Sequence, residues 1–273
     1  MKKGKVAYTL FIFSIFTGAL SFQSCKDDSN PSAGPPANTA NLIKLDSNYA
    51  LGAAAIIVIY AEDSMHTGYN PVYIVLYDSV TNAIITDAHI TFDPQNHGHS
   101  APHENPPELA VEGKFKGALV LTQSFTDNSA HWHIHIGVHN HQSQGEPKGE
   151  YEYSPGRVRD NPNGFKSIIM PDSAKLFLSY IAPNIPVTGL NDFEFLISRN
   201  EPELFPPDGS YSIVMTPRFI SDGHTTSNNV TPVGSSNGHY KGKVNFDRSG
   251  AWRINITISK NGHSYDTYFD VSY

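Results

Sequence analysis

An all-β chain of two tandem β-sandwiches, set behind a signal segment and a flexible tether, is the architecture this sequence predicts. Three observations carry it. The apolar runs are short, rich in Val, Ile, Phe and Tyr, and cut by Gly, Pro, Asn and Asp, and no long segment has apolar residues at helical spacing. Alternation of apolar and polar residues recurs inside those runs, as half-buried strands require. The blocks also occur twice in the same order. GYNPVYIVLYDS, ITFDP, HGHSAPH, GKFKGALVL and AHWHIHIGV are answered by GLNDFEFLISRN, IVMTP, DGHTTS, GHYKGKVNF and AWRINITI. Gly68 and Gly189 stand 121 positions apart and Trp132 and Trp252 stand 120 apart, the shared offset of a duplicated domain.

Residues 1–24 form the signal segment. Lys2, Lys3 and Lys5 precede a short apolar core, Val6 to Leu20, which falls short of the roughly 20 residues a spanning helix needs. Cys25 follows and is the only cysteine of 273 residues, so no internal disulfide can form. Phe22-Gln23-Ser24-Cys25 resembles a loose bacterial lipoprotein processing site, and Lys26-Asp27-Asp28 resembles an acidic export tag. The resemblance implies lipidation at Cys25 and a place in the cell envelope. The lipid anchor would be the only tie to the outer membrane, with the chain displayed at the surface. Residues 25–41 are a Pro/Ala/Asn-rich tether without periodicity.

The first sandwich is expected over 42–145, with strands at Ile56 to Tyr60, Val72 to Tyr77, Ile84 to Phe92, Ala118 to Thr122 and His133 to Val138. Residues 146–164, rich in Gly, Pro and charge, read as a linker. The second sandwich is expected over 165–273. Its strands fall at Lys175 to Ile181, Asp192 to Ser198, Tyr211 to Met215, Gly242 to Phe246, Trp252 to Ser259 and Thr267 to Ser272.

Histidine separates the copies. The first holds His66, His89, His97, His99, His103, His131, His133, His135, His139 and His141; the second holds His224, His239 and His263. In a strand, Trp132, Ile134 and Ile136 face one way and His131, His133 and His135 the other. The second copy alternates Trp252, Ile254 and Ile256 with Arg253, Asn255 and Thr257, which makes the Trp/Ile face the core. Same-face neighbours lie roughly 6.5–7 Å apart, a gap two imidazoles can close around one metal ion. The strand face is thus either a metal site or a solvated polar surface. His97, His99 and His103 lie in a loop with Gly98 and Pro102, where a turn can gather them or leave them as hydrophilic filler. A metal centre would require at least one of them to approach His131, His133 or His135. In the second copy Met215, His224 and His239 suit copper, the cuprous ion above all, better than zinc; alternatively they are a core thioether and two surface imidazoles.

The second copy resembles the YtkA-like (FixH-like) family of exported bacterial proteins. Met215-Thr216-Pro217, His224, Gly238-His239-Tyr240-Lys241-Gly242 and Gly250-Ala251-Trp252 carry the likeness over about the last 85 residues. The first copy matches more faintly, with Phe92 where the second has Met215. The resemblance implies small Ig-like β-sandwiches and a copper-handling context.

Other chemistry finds little support. There is no G-x-S-x-G elbow, no H-E-x-x-H helix and no phosphate loop. A single cysteine is incompatible with the disulfide of Cu/Zn superoxide dismutase. Removing residues 1–24 takes three lysines and no acid from a net charge of −7, leaving −10, a poor balance for nucleic acid. The expectation is a non-enzymatic metal binder for copper, or for zinc, acting as chaperone, buffer or acquisition factor, with a metal ion and another envelope protein as partners. Two competitors stand beside it: a surface-exposed Ig-like interaction or adhesion module with no metal, and a metalloenzyme on the histidine face.

Overall fold

The computed structural model describes residues 37–125, 131–202 and 204–273. The signal segment, Cys25 and most of the tether lie outside them. Among the described residues no helix is long and apolar enough to cross a membrane.

The first sandwich is built from β1 (Ile43–Ala50), β2 (Ala55–Ala61), β3 (Gly68–Asp78), β4 (Ile84–Ile85), β5 (Ala88–Asn96), β6 (His99–Ser100), β7 (His103–Glu104), β8 (Phe115–Leu121), β9 (Trp132–Asn140) and β10 (Lys148–Tyr153). One sheet has the order β1-β2-β3-β8-β7, with β4 beside β3, and the other β10-β9-β5-β6. The second sandwich comprises β11 (Phe165–Ile169), β12 (Lys175–Ala182), β13 (Gly189–Arg199), β14 (Ser212–Phe219), β15 (Val230–Gly234), β16 (His239–Phe246), β17 (Ala251–Lys260) and β18 (His263–Ser272). Its sheets run β11-β12-β13-β16-β15 and β14-β17-β18.

Without the added strands β1, β4, β6 and β11, the copies share one strand order. The sheets β2-β3-β8-β7 and β12-β13-β16-β15 each have the A-B-E-D order of an immunoglobulin constant-type sandwich, and β5-β9-β10 and β14-β17-β18 each have its C-F-G order. The fold is therefore a tandem of Ig-like sandwiches. Each core closes on a tryptophan at the same place, near the start of the F strand. Trp132 and Trp252 are both buried, and their Nε1 groups donate to the Gln123 and Arg248 carbonyls of the preceding loop at 3.1 and 2.9 Å. The indole donor thus finds a partner on leaving water, as a buried aromatic amine must.

A second matched device was not apparent in the sequence. Gly68 and Gly189 open the B strands at φ +100° and +102°, a region that favours glycine. Two residues on, Asn70 and Asn191 lace the preceding turn together. Asn70 donates to the His66 and Gly68 carbonyls and accepts from the His66 amide; Asn191 does the same with Val187 and Gly189.

The span expected as a linker divides. Lys148–Tyr153 is the G strand of the first sandwich, paired with β9. Its inward side chains are Tyr151 and Tyr153, so a search for aliphatic residues passes over it. Val158 is also buried in the first core, bridged through its backbone to Phe125. The run Ile84 to Phe92 is likewise two strands, β4 on one sheet and β5 on the other.

Candidate functional site: the histidine face and the seam between the sandwiches

On β9, Trp132, Ile134, Ile136 and Val138 enter the core, and the alternate residues His133 and His135 stay partly exposed. Antiparallel pairing sets Glu152 of β10 opposite His135. The Glu152 carboxylate takes both imidazoles, with His133 Nδ1 at 2.7 Å and His135 Nδ1 at 3.9 Å. The His133 hydrogen bond, aided by the charges of both imidazoles, holds Glu152 below the usual carboxylate range.

Asn96 pairs with Trp132, so the β5 to β6 turn brings His97 beside His131. His97 Nε2 is 3.3 Å from His131 Nδ1, and the His131 ring stacks on Phe125 with centroids 3.8 Å apart. His99 lies on β6 beyond this pair. His103 lies on β7 in the opposite sheet, its Nδ1 3.2 Å from the Ala101 carbonyl. Of the six candidates in the first copy, only His97 and His131 meet across the loop and strand. Further along, His139 and His141 stand with ring centroids 4.5 Å apart, His139 near Glu146 at 3.5 Å and His141 on Asp87 at 2.8 Å. Among the described residues, no group of three or more His, Cys, Asp or Glu is gathered as a metal ion would need.

The second copy separates its three candidates. Met215 packs into the core. His224, in the loop after β14, bonds Asp247 through Nε2 at 2.6 Å. His239 lies on the outward face of β16, yet it is only 7% exposed, because the first sandwich covers it. Its Nε2 is 2.5 Å from Glu104 Oε1 of the first sandwich and its Nδ1 is 2.5 Å from Glu194 Oε1 on β13. Tyr69 donates to the other oxygen of Glu104 at 2.5 Å, and Lys241 sits 3.3 Å from Glu194. Burial alone would lower the pKa of His239, but the hydrogen bonds and charges of Glu104 and Glu194 outweigh it and the pKa is raised. Burial likewise pushes Glu104 upward, and the bonds from His239 and Tyr69 overcome it, leaving Glu104 lowered. An imidazolium between two carboxylates, with each ring nitrogen donating, is the state these shifts describe.

The connector is sewn to both sandwiches. The Thr67 amide donates to the Arg159 carbonyl and the Arg159 amide donates to the Met65 carbonyl, both at 2.9 Å, and the Asn161 amide donates to Thr67 Oγ1 at 2.7 Å. Beyond Asn161 the partners change. Gly164 accepts from the Tyr180 amide at 3.1 Å, and Asn163 Oδ1 accepts from the Asp270 amide at 3.4 Å. Gly68 and Gly164 touch here. A Cβ on Gly68 would lie 2.3 Å from the Gly164 carbonyl oxygen.

Sequence reasoning marked His239 but not its partners Glu104, Glu194 and Tyr69. A signal was present in Glu194, a charge within FEFLI where the first copy reads VYIVL.

No family model matches the chain, and no curated protein matches it. The YtkA-like likeness therefore rests on the motifs alone. Several solved structures are similar in part. A tandem of titin Ig domains is 12% identical, covers 77% of this chain and 90% of its own, and has a TM-score of 0.19. The Yersinia pseudotuberculosis adhesin InvE is 10% identical over 76% of this chain and 56% of its own, with a TM-score of 0.21. The D0-D1 domain of intimin is 9% identical over 77% and 95%, with a TM-score of 0.22. The Ig-like assignment stands on strand order, not on these overlays.

Proposed function

We propose that this chain is a non-enzymatic interaction module: two Ig-like sandwiches, lipid-anchored through Cys25 at the cell surface, that hold a protein or glycan partner. The observation that carries the reading is the seam. Glu104, His239 and Glu194, with the sewn connector, turn two sandwiches into one presenting unit. A fixed arrangement lowers the ordering cost of binding across both domains. The histidines of the first F strand, meanwhile, lie within reach of the Glu152 carboxylate. The test compares cells that display the chain with cells carrying Cys25→Ala, scored for attachment to protein-coated and glycan-coated surfaces. Attachment should need the cysteine. Equal attachment by both strains, with the wild-type chain displayed, would reject the reading.

One observation favours metal binding as a second reading. The 3.3 Å between His97 Nε2 and His131 Nδ1 is close to the edge of a tetrahedron with metal–nitrogen bonds of about 2.0–2.1 Å. Copper or zinc held there would take its remaining ligands from water or a partner. Calorimetry with each ion at neutral pH checks this: uptake lost in His97→Ala supports the site, and no uptake by the wild type removes it.

A further inference from the structure

We propose that Glu104, His239 and Glu194 form a clasp that closes the two sandwiches about a pivot at residues 161–164, with the imidazole keeping two facing carboxylates together. The contact pattern locates the pivot. Up to Asn161 the connector bonds to the first sandwich, and from Asn163 it bonds to the second. Only a short stretch of chain therefore joins the two bodies covalently. The Gly68–Gly164 contact lets the backbones touch there without a side chain between them.

The clasp is carried by Glu104 on β7, Glu194 at the middle of β13 and His239 on β16, with Tyr69 of β3 linking it to the Gly68 end of the seam. Among the described residues, the ring is the one cation bonded to both carboxylates, while the more exposed Lys241 offsets only part of their repulsion. Glu104 is held toward the seam by Tyr69, and Glu194 is paired with Lys241. Two half-buried carboxylates that face each other repel, and a partly buried charge stripped of its partner is unfavourable. Beside the clasp runs a cleft of about 440 Å³, lined by Tyr69, His103 and Lys116 of the first sandwich and by Leu196, Phe205 and Asn237 of the second. This open space gives the sandwiches room to move against each other. The inference deepens the interaction-module reading by naming what fixes its geometry, but the test below reads domain spacing and is independent of any partner.

The experiment is pulsed electron–electron distance measurement on the full chain carrying Cys25→Ser, labelled at Val80→Cys and Val214→Cys. Both sites are well exposed, one on each sandwich. The parent should give one narrow distance distribution. His239→Leu should broaden it and add a long-distance tail. Adding Glu104→Gln and Glu194→Gln to His239→Leu should narrow it again, because the repulsion is gone; a purely steric role for the ring predicts no such rescue. Glu104→Gln alone, which leaves the second core untouched, should broaden the distribution less than His239→Leu. Buried-tryptophan fluorescence reports that both cores stay folded. An unchanged distribution in both His239→Leu and Glu104→Gln, or broadening that persists in the triple variant, overturns the clasp.

Discussion

His133 on β9 and Arg253 on β17 occupy the same place in the two sandwiches, one residue after the buried tryptophan. Each faces an acid on the neighbouring G strand. His133 meets Glu152 at 2.7 Å, and Arg253 grips Asp270 with two bonds of 2.8 and 2.9 Å. A guanidinium keeps its charge at every accessible pH, whereas an imidazole titrates near neutrality. The reverse exchange occurs where the E strand begins. The motif GKFKG of the first copy carries Lys114 where GHYKG of the second carries His239. Among the described residues, Lys114 bonds the Asn38 carbonyl of the tether and Glu112 of its own sandwich, while His239 reaches across to the other domain. One scaffold thus tolerates either base on its outer face. The choice decides whether the local charge is permanent or conditional, and the cores need not change.

The equivalence of the cores can be broken most severely at the tryptophans. Trp132→Ala and Trp252→Ala should each destabilise the chain by about 3–5 kcal/mol, the cost of a large core cavity. Denaturant unfolding of the two variants checks this, and a strongly unequal pair would mean that the matched positions are not energetically matched.

The glycines sharpen the comparison. Both Gly68 and Gly189 pay for a side chain at positive φ, about 1–3 kcal/mol. Nothing lies within 4 Å of a Cβ on Gly189, but one on Gly68 collides with Gly164. Gly68→Ala should therefore lower the melting temperature more than Gly189→Ala. Equal losses would show that the connector yields without cost.

Acid and base should act on the seam before they act on Arg253. His239 titrates above its ordinary 6.5, so its contribution is complete below that pH and is lost as pH rises through the raised value. Glu104 titrates below its ordinary 4.5, so its share is present above that pH and is lost as pH falls through the lowered value. The melting difference between wild type and His239→Gln should be greatest between these limits and shrink on the alkaline side. A difference that is flat through the alkaline range would contradict a charged imidazole at the seam. The smallest effects belong to the exposed strand pairs. Asp270→Asn, which breaks a two-bond guanidinium–carboxylate pair, should cost more than Glu152→Gln, which loses one imidazole hydrogen bond. Parallel thermal melts of these two variants check the order of the two losses.

Much of this architecture was legible in the residues. Alternation around Trp132 and Trp252 identified the F strands, their inward faces and the duplication, because core burial imposes period two. Tyr151 and Tyr153 hid β10, since a strand whose inward face is aromatic amid Glu and Gly looks like a connector. The histidine pairing was only partly legible. Strand register brings His97 to His131, but it sends His103 to the opposite sheet, which loop composition cannot reveal. Glu104 and Glu194 are separated by a whole domain in sequence. Their convergence on His239 depends on how the sandwiches meet, and no local pattern encodes that.

The connector's pairing bears on how the chain would age among proteases. Its composition, with Arg157 and Arg159 among Gly, Pro and Asn, is that of a segment easily cut. A protease, however, needs backbone drawn out of its bonds, and here Val158, Arg159 and Asn161 are all bonded to the first sandwich. Cleavage at Arg157 or Arg159 must wait for local unfolding, so its rate would track the stability of the first domain and not the exposure of the two arginines.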